Sequence, residues 1–466
     1  MVFSSLVFLY GFLPLVLVSY FICRNRVYRN VVLLLFSLVF YAWGEPKYVL
    51  IMLLACLEAY FCGLLMEHLK SKPRLRRTAF LAGLVLLIAN LVVFKYTNFI
   101  WDNLRLALPV LPAIRSIALP IGISFYTFQI LSYIIDLYWG EIRVQRNFLY
   151  LALYVSFFPQ LIAGPIVRYQ TIEEELENRQ ETLGDVAAGI KRFILGLAKK
   201  VILANHLAAL SELIYGGSQN LYGTLPYWLA ATAYALQIYF DFSGYSDMAI
   251  GLGRIFGFRF LENFNYPYLS LCVTDFWRRW HISLSSWFRD YVYIPLGGNR
   301  VSRGKWIRNL LVVWGLTGLW HGAQWNFILW GLYYGLLLLA EKLFLGKYLE
   351  KLPKLLRWLY AMLLVNVGWV IFNCTDMTQM WHALKTMFGY MPTNFTAMLA
   401  ADTSIVKGLI YVPLGLIAAA PVFRKLPRRE GTAWLVLENG MYLILLGVCI
   451  VYIISSTYNP FIYFRF

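Results

Sequence analysis

Apolar residues in this chain gather into long runs separated by short polar or basic segments, and those runs predict membrane-spanning helices. A crossing needs about 20 apolar residues to traverse a hydrocarbon core about 30 Å thick. In the N-terminal part, residues 3–21, 31–43, 48–66, 80–93, 121–138 and 148–163 approach that length. Further on, 227–240, 310–339, 359–372, 405–423 and 434–454 do the same. Several runs are short and must tilt or borrow flanking aromatics. The pattern therefore predicts an all-α polytopic membrane protein with roughly ten to twelve transmembrane helices.

Two regions break this rhythm. Residues 168–205 begin acidic, with Glu173, Glu174, Glu175 and Glu177, and continue with Lys191, Arg192, Lys199 and Lys200. Between the lysines, Ile194, Leu195, Leu197 and Ala198 form an apolar side, which fits a helix lying in the membrane interface. A solvated linker is the alternative. Residues 241–308 are too polar to span comfortably yet rich in aromatics. Within 277–291, Trp277, Trp280, Leu284, Trp287 and Tyr291 recur at three- and four-residue steps, and Arg278, His281, Ser285 and Arg289 recur on another face. The spacing predicts one helix with an aromatic side and a polar side, set at the interface or lining a cavity.

Composition agrees with a bilayer. Of 466 residues, 60% are hydrophobic and 14% charged, whereas soluble domains carry about a quarter charged. The net charge of +17 raises the question of nucleic acid, but the basic residues flank the apolar runs. They form clusters at Arg24, Arg26 and Arg29; at Lys70, Lys72, Arg74, Arg76 and Arg77; at Lys342, Lys347, Lys351, Lys354 and Arg357; and at Arg424, Lys425, Arg428 and Arg429. Such an excess marks cytoplasmic loops. The first run has no basic residue before it and three arginines after it, which puts the N-terminus outside. Without a basic lead-in or a small-residue cleavage site before Cys23, the first span is expected to stay. Six scattered cysteines show no metal-ligand spacing and read as packing residues. No repeat or polar linker divides the chain, so residues 1–466 are expected to form one membrane domain.

One histidine, His321, sits within the run 310–339. Charged side chains at membrane depth cost on the order of a few kcal/mol, and those that persist face protein or a water-filled cavity. An imidazole also exchanges protons near neutrality. A histidine hydrogen-bonded between packed helices is the alternative reading. Loop charge adds a conflict: Arg300, Arg303, Lys305 and Arg308 precede this run and the 342–357 cluster follows it, so both flanks point to the cytoplasm. Thirty residues is long for one crossing and short for two, which need roughly forty. Gly315, Gly318, Gly322, Gly331 and Gly335 offer places for a break. A re-entrant or broken element resolves the conflict.

Three blocks carry a resemblance. The first is Phe240-Asp241-Phe242-Ser243-Gly244-Tyr245-Ser246-Asp247-Met248-Ala249-Ile250-Gly251. The second is Asp275-Phe276-Trp277-Arg278-Arg279-Trp280-His281-Ile282-Ser283-Leu284-Ser285, continuing to Pro295-Leu296-Gly297-Gly298-Asn299-Arg300. The third is Gly318-Leu319-Trp320-His321-Gly322-Ala323 with Trp325-Asn326-Phe327. Together they resemble the membrane-bound O-acyltransferase superfamily, specifically its alginate O-acetyltransferase membrane-subunit branch. Residues 120–129 and 158–165 look like earlier blocks of that family. The core motif region runs from about 119 to 341.

The resemblance implies that an acetyl group passes from a cytoplasmic donor, acetyl-CoA or another acyl thioester, toward hydroxyls of an exported cell-surface polysaccharide. It implies His321 as the base that takes the hydroxyl's proton and His281 as the group that orients or polarises the substrate. It further implies a bacterial cytoplasmic-membrane protein working beside a separate extracytoplasmic acyltransferase. No motif marks a cofactor pocket, and neither a metal nor a nucleic-acid partner is expected. Asp241, Asp247, Asp275 and Asp290 read as structural partners of nearby arginines, and His68, His206 and His382 as interface or loop residues. Two alternatives stay open: a D-alanyl transfer protein of teichoic acid modification, and a transporter or channel whose polar residues line a permeation path.

Overall fold

The apolar runs fold as helices, and most of them end where the sequence supplies a stop. The computed structural model describes residues 1–216, 223–392, 396, 403–422, 431–455 and 461–462. A π-helical turn at Val7–Phe12 leads into α1 (Leu13–Ile22), followed by α2 (Arg26–Ala42), α3 (Val49–His68), α4 (Pro73–Ala107) and α5 (Ile123–Trp139). Next come α6 (Phe148–Ser156), α7 (Tyr169–Asn178), α8 (Leu183–Ala198), α9 (Asn205–Gly216) and α10 (Thr224–Ile255). Two short helices, α11 (Val273–Arg279) and α12 (Ile282–Phe288), precede α13 (Arg303–His321) and α14 (Trp325–Ala340). The remainder comprises α15 (Gly346–Leu349), α16 (Lys354–Asn373), α17 (Met377–Phe388), α18 (Thr403–Ala418) and α19 (Thr432–Ser455). The basic cluster Arg424, Lys425, Arg428 and Arg429 lies outside the described residues.

Among the described residues, six helical stretches are long and apolar enough to cross a membrane: Val49–His68, Pro73–Ala107, Leu183–Gly216, Trp325–Leu349, Lys354–Asn373 and Thr432–Ser455. Several other runs give shorter helices, whereas 227–240 lies within the 32-residue α10. The run at 148–163 stops as a helix after nine residues, ahead of Pro159 and Gly164, and α5 has 17. The expected interfacial helix of 168–205 takes a different form. Leu183–Gly216 is one 34-residue helical stretch, continued through a π-helical segment at Lys199–Ala204. Its lysines and arginine do not break the helix, because both residue types favour it, and Arg192 and Lys200 each meet a carboxylate, Asp247 and Asp241.

The chain divides into two compact units, Met1–Phe193 with Ser246–Leu261, and Ile194–Tyr245 with Glu262–Phe466. The first unit closes its helix ends with arginines. Arg76 of α4 donates to the Leu137 and Tyr138 carbonyls at the end of α5 at 3.0 and 2.9 Å, where Gly140 adopts a left-handed conformation. A cation there answers both the open carbonyls and the helix dipole. The backbones of α8 and α10 touch at Gly189 and Gly251, where a Cβ on either glycine would lie 2.6 Å from the other's carbonyl oxygen. Arg192 pairs with Asp247 at 2.6 Å.

Glu181 is the polar centre of this unit. Arg26 and Arg29 pair with its two oxygens at 2.7 and 2.6 Å, Arg179 approaches to 3.6 Å, and the Tyr20 hydroxyl donates to it. Burial favours the neutral carboxyl, but the hydrogen bonds from Tyr20 and Arg26 and the arginine charges outweigh it, so the Glu181 pKa is lowered. The sign follows from linkage. Its stabilisation is fully present above the ordinary glutamate value of about 4.3 and is lost as pH falls through the lowered native value.

In the second unit, the run 310–339 becomes a helical hairpin. Arginines and a lysine extend α13 upstream to Arg303, giving it 19 residues, and Trp325–Leu349 has 25. Both arms therefore approach the length of a full crossing, which the hydrophobic run by itself did not reveal. The arms lie antiparallel. Trp314 meets Tyr334 at 5.7 Å, and a Cβ on Gly318 would fall 2.4 Å from the Phe327 carbonyl oxygen and 3.3 Å from Gly331 Cα. At the open end, Lys342 lies 6.0 Å from the Trp306 ring. The break expected near His321 falls at Gly322–Gln324.

Two outcomes test this fold. Glu181→Ala strands three arginines, and losing one partner of a buried pair typically costs about 3–5 kcal/mol. The thermal midpoint of the detergent-solubilised protein should drop clearly; an unchanged midpoint would mean that solvent already screens the cluster. For the hairpin, Ser302→Cys and Glu350→Cys, in a background lacking the six native cysteines, should react with an impermeant thiol reagent from the same side of the membrane. Labelling from opposite sides would contradict the antiparallel arms.

Candidate active site

The helix expected over 277–291 is interrupted in its first half, and the interruption is His281. Its backbone is left-handed, φ 45° and ψ 55°, a conformation that costs a non-glycine residue about 1–2 kcal/mol. The kink separates α11 from α12, so Arg278, His281, Ser285 and Arg289 do not share one continuous face. Sequence periodicity could not detect this, because the force that breaks the helix comes from elsewhere in the chain. Asn263 supplies it. Its carbonyl oxygen accepts the Ile282 N–H at 3.0 Å, and its side-chain oxygen accepts the Ser283 N–H at 3.1 Å and the Ser283 hydroxyl at 2.9 Å. One residue thereby caps the start of α12.

The same amide oxygen lies 3.2 Å from His281 Nδ1. His281 is 1% exposed, and burial pushes its imidazole down to about 3, so the ring is neutral across the physiological range. Around it stand Phe242 of α10, with ring centroids 4.6 Å apart, and Trp320 of α13 at 5.8 Å. His281 Nε2 is buried without a hydrogen-bond partner among the described residues.

His321 is the last residue of α13, at the hairpin tip, and is 5% exposed. Its ring meets Trp320 at 5.0 Å, Trp330 of α14 at 4.9 Å and Phe372 of α16 at 5.2 Å, each edge to face. The structure thus brings the two sequence-predicted histidines against one indole, that of Trp320. Gly322 is required beside His321, because a Cβ there would lie 2.3 Å from the Phe327 ring. Polar atoms at Trp277 Nε1, Trp330 Nε1 and Tyr334 Oη are also buried without partners among the described residues. Buried polar groups are normally satisfied, so their concentration here suits a polar substrate or water.

The other candidates fall into structural roles. Asp247, Asp275 and Asp290 pair with Arg192, Arg279 and Arg289. Asp241 pairs instead with Lys200 at 2.6 Å and accepts the Ile462 N–H at 2.7 Å. Phe461 packs on Tyr245 and Phe242 at 4.9 and 6.1 Å. His206 sits inside α9, stacked on Tyr411 at 4.1 Å, rather than in a loop. Asn326 of the third block is structural: its amide donates to the Phe372 carbonyl at 3.0 Å, near the end of α16. Sequence reasoning missed Asn263 and Glu341. Glu341 accepts the Val273 and Thr274 N–H groups at 2.7 and 2.8 Å, which caps α11 from the far end of α14. No spacing rule could pair residues 68 positions apart.

Comparison with known proteins bears on this arrangement. Residues 140–376 match the membrane-bound O-acyltransferase (MBOAT) family. The Azotobacter vinelandii protein named "Probable alginate O-acetylase AlgI" is 44% identical over 394 residues, covering 84% of this chain and 78% of that protein. The peptidoglycan O-acetyltransferase of Helicobacter pylori is 35% identical over 84% of this chain and 80% of its own. The teichoic acid D-alanyltransferase of Bacillus subtilis is 32% identical over 51% of this chain and 62% of its own. On the match across half the chain, and on relatives aligned along most of it, this protein belongs to the membrane-bound O-acyltransferase family and is a multi-pass membrane O-acyltransferase.

Proposed function

We propose that this protein moves an acetyl group from a cytoplasmic thioester, acetyl-CoA or another acyl thioester, across the membrane toward hydroxyls of an exported cell-surface polysaccharide. The observation that supports this most is the pair of buried imidazoles gathered around Trp320. In the proposed step His321 takes the proton of the attacking hydroxyl as its oxygen bonds to the acyl carbon. The carbon–sulfur bond breaks, and the imidazolium returns the proton to the departing thiolate. His321 stands at the C-terminal end of α13, where helix carbonyls gather partial negative charge, an environment that favours the cation formed in that step. His281 orients or polarises the substrate.

Two features favour acetyl on a polysaccharide. The relatives that align over 84% of the chain are named for O-acetylation of alginate or peptidoglycan, whereas the D-alanyl relative aligns over 51%. The named relatives are bacterial proteins, which supports a place in the bacterial cytoplasmic membrane, and the distribution of basic residues puts the N-terminus outside. A separate extracytoplasmic acyltransferase is expected to complete the transfer.

His321→Ala should reduce ester content of the surface polysaccharide by at least about a hundredfold, the usual scale of a lost general base, with near-normal protein level. Mass analysis of the polymer measures this, and wild-type ester content would remove His321 from the chemistry. His281→Asn, which keeps a residue tolerant of left-handed backbone, should give a smaller loss. Orientation has its own test. Lys72→Cys should label only from the cytoplasm and Glu45→Cys only from outside; the reverse pattern would invert the topology.

A further inference from the structure

We propose that Asn263 is a positioning residue that fixes His281 in the tautomer protonated at Nδ1, so that Nε2 meets the substrate only as a hydrogen-bond acceptor. The inference rests on the reading of the site given above and narrows it. An imidazole that accepts at Nε2 can hold a hydroxyl by its O–H. It cannot donate to a carbonyl oxygen, so it does not polarise the acyl group.

The tautomer follows from a chain of donors and acceptors. The Ser283 backbone N–H can only donate, and it points at the Asn263 side-chain atom 3.1 Å away, which must therefore be the oxygen. The amide orientation, ordinarily ambiguous, is settled by that contact. Asn263 Oδ1 can only accept, so at 3.2 Å His281 Nδ1 must carry the proton. A neutral ring holds one N–H, which leaves a lone pair on Nε2. Asn263 is 1% exposed and cannot be replaced by solvent in this role. Two further restraints keep the ring in register: the left-handed backbone of His281 itself and the edge-to-face contacts of Phe242 and Trp320.

Among the described residues, those that contact the ring are Phe242 of α10, Trp320 of α13, Asn263, and Ser283 of α12. None is charged near neutrality, and burial alone displaces the titration of His281. The charge state is therefore sensitive to what stands at position 263. A carboxylate there would accept the same Nδ1–H but stabilise the imidazolium, which raises the pH at which the ring takes a second proton.

The test is a titration of full-length protein labelled with 15N-histidine, in which the signal of His281 among the five histidines is identified by its loss in His281→Gln. The wild type should show a protonated Nδ1 and a bare Nε2 from about pH 5 to about pH 8. Asn263→Asp should keep that tautomer and titrate at least about one unit higher. Asn263→Leu should give mixed tautomers and at least about a tenfold fall in polymer ester content. A wild-type ring protonated at Nε2, or an Asn263→Asp ring that titrates like wild type, overturns the proposal. Because the spectrum does not use activity, it is independent of the His321→Ala result. Unchanged esters in that variant would sink the reaction reading alone, and a wrong tautomer would sink this inference alone.

Discussion

Helix ends leave backbone groups open, and in an apolar interior no water is at hand to answer them. The second unit meets this constraint with side chains borrowed from distant parts of the chain. Glu341 closes the start of α11, Asn263 the start of α12, and Asn326 the end of α16. Asn309 does the same for the turn before α13, its amide donating to the Leu296 and Gly298 carbonyls at 3.0 and 3.1 Å. Each closure also fixes one element against another. The short helices around His281 are too brief to hold themselves, so the site's geometry is inherited from these caps.

That dependence explains what was legible beforehand. Span-forming runs such as 48–66 and 434–454 report only on length and apolarity, and both became helices of crossing length. Gly318 and Gly322 of the third motif block stand out in sequence because a side chain there would collide with Phe327 of the facing arm. The hairpin's true length stayed hidden, since Arg303, Lys305 and Arg308 lie inside α13 and lower its hydropathy. The helix read over 277–291 failed for the reason that makes it useful: tertiary hydrogen bonds from Asn263 override a sound 3.6-residue period. Local pattern cannot carry information about a partner that arrives from elsewhere in the chain.

The aromatic residues do more than fill volume. Trp277, Trp314, Trp330 and Tyr334 join α11 to both arms of the hairpin, with ring centroids 4.8–6.2 Å apart. Large rings with few rotatable bonds lose little freedom when packed, and edge-to-face pairs add about 0.5–1.5 kcal/mol each. Where lipid removes the hydrophobic drive between helices, such packing matters more than in water. Unlike aliphatic chains, these rings also bring indole and phenol groups to the floor of the site without a formal charge.

Asp241 accepts the Ile462 N–H while Phe461 covers Phe242, the ring against which His281 rests. The wall behind the second imidazole is therefore supplied by residues translated long after the histidines themselves. A nascent chain halted before them would contain both histidines and the whole hairpin, yet lack the support behind Phe242.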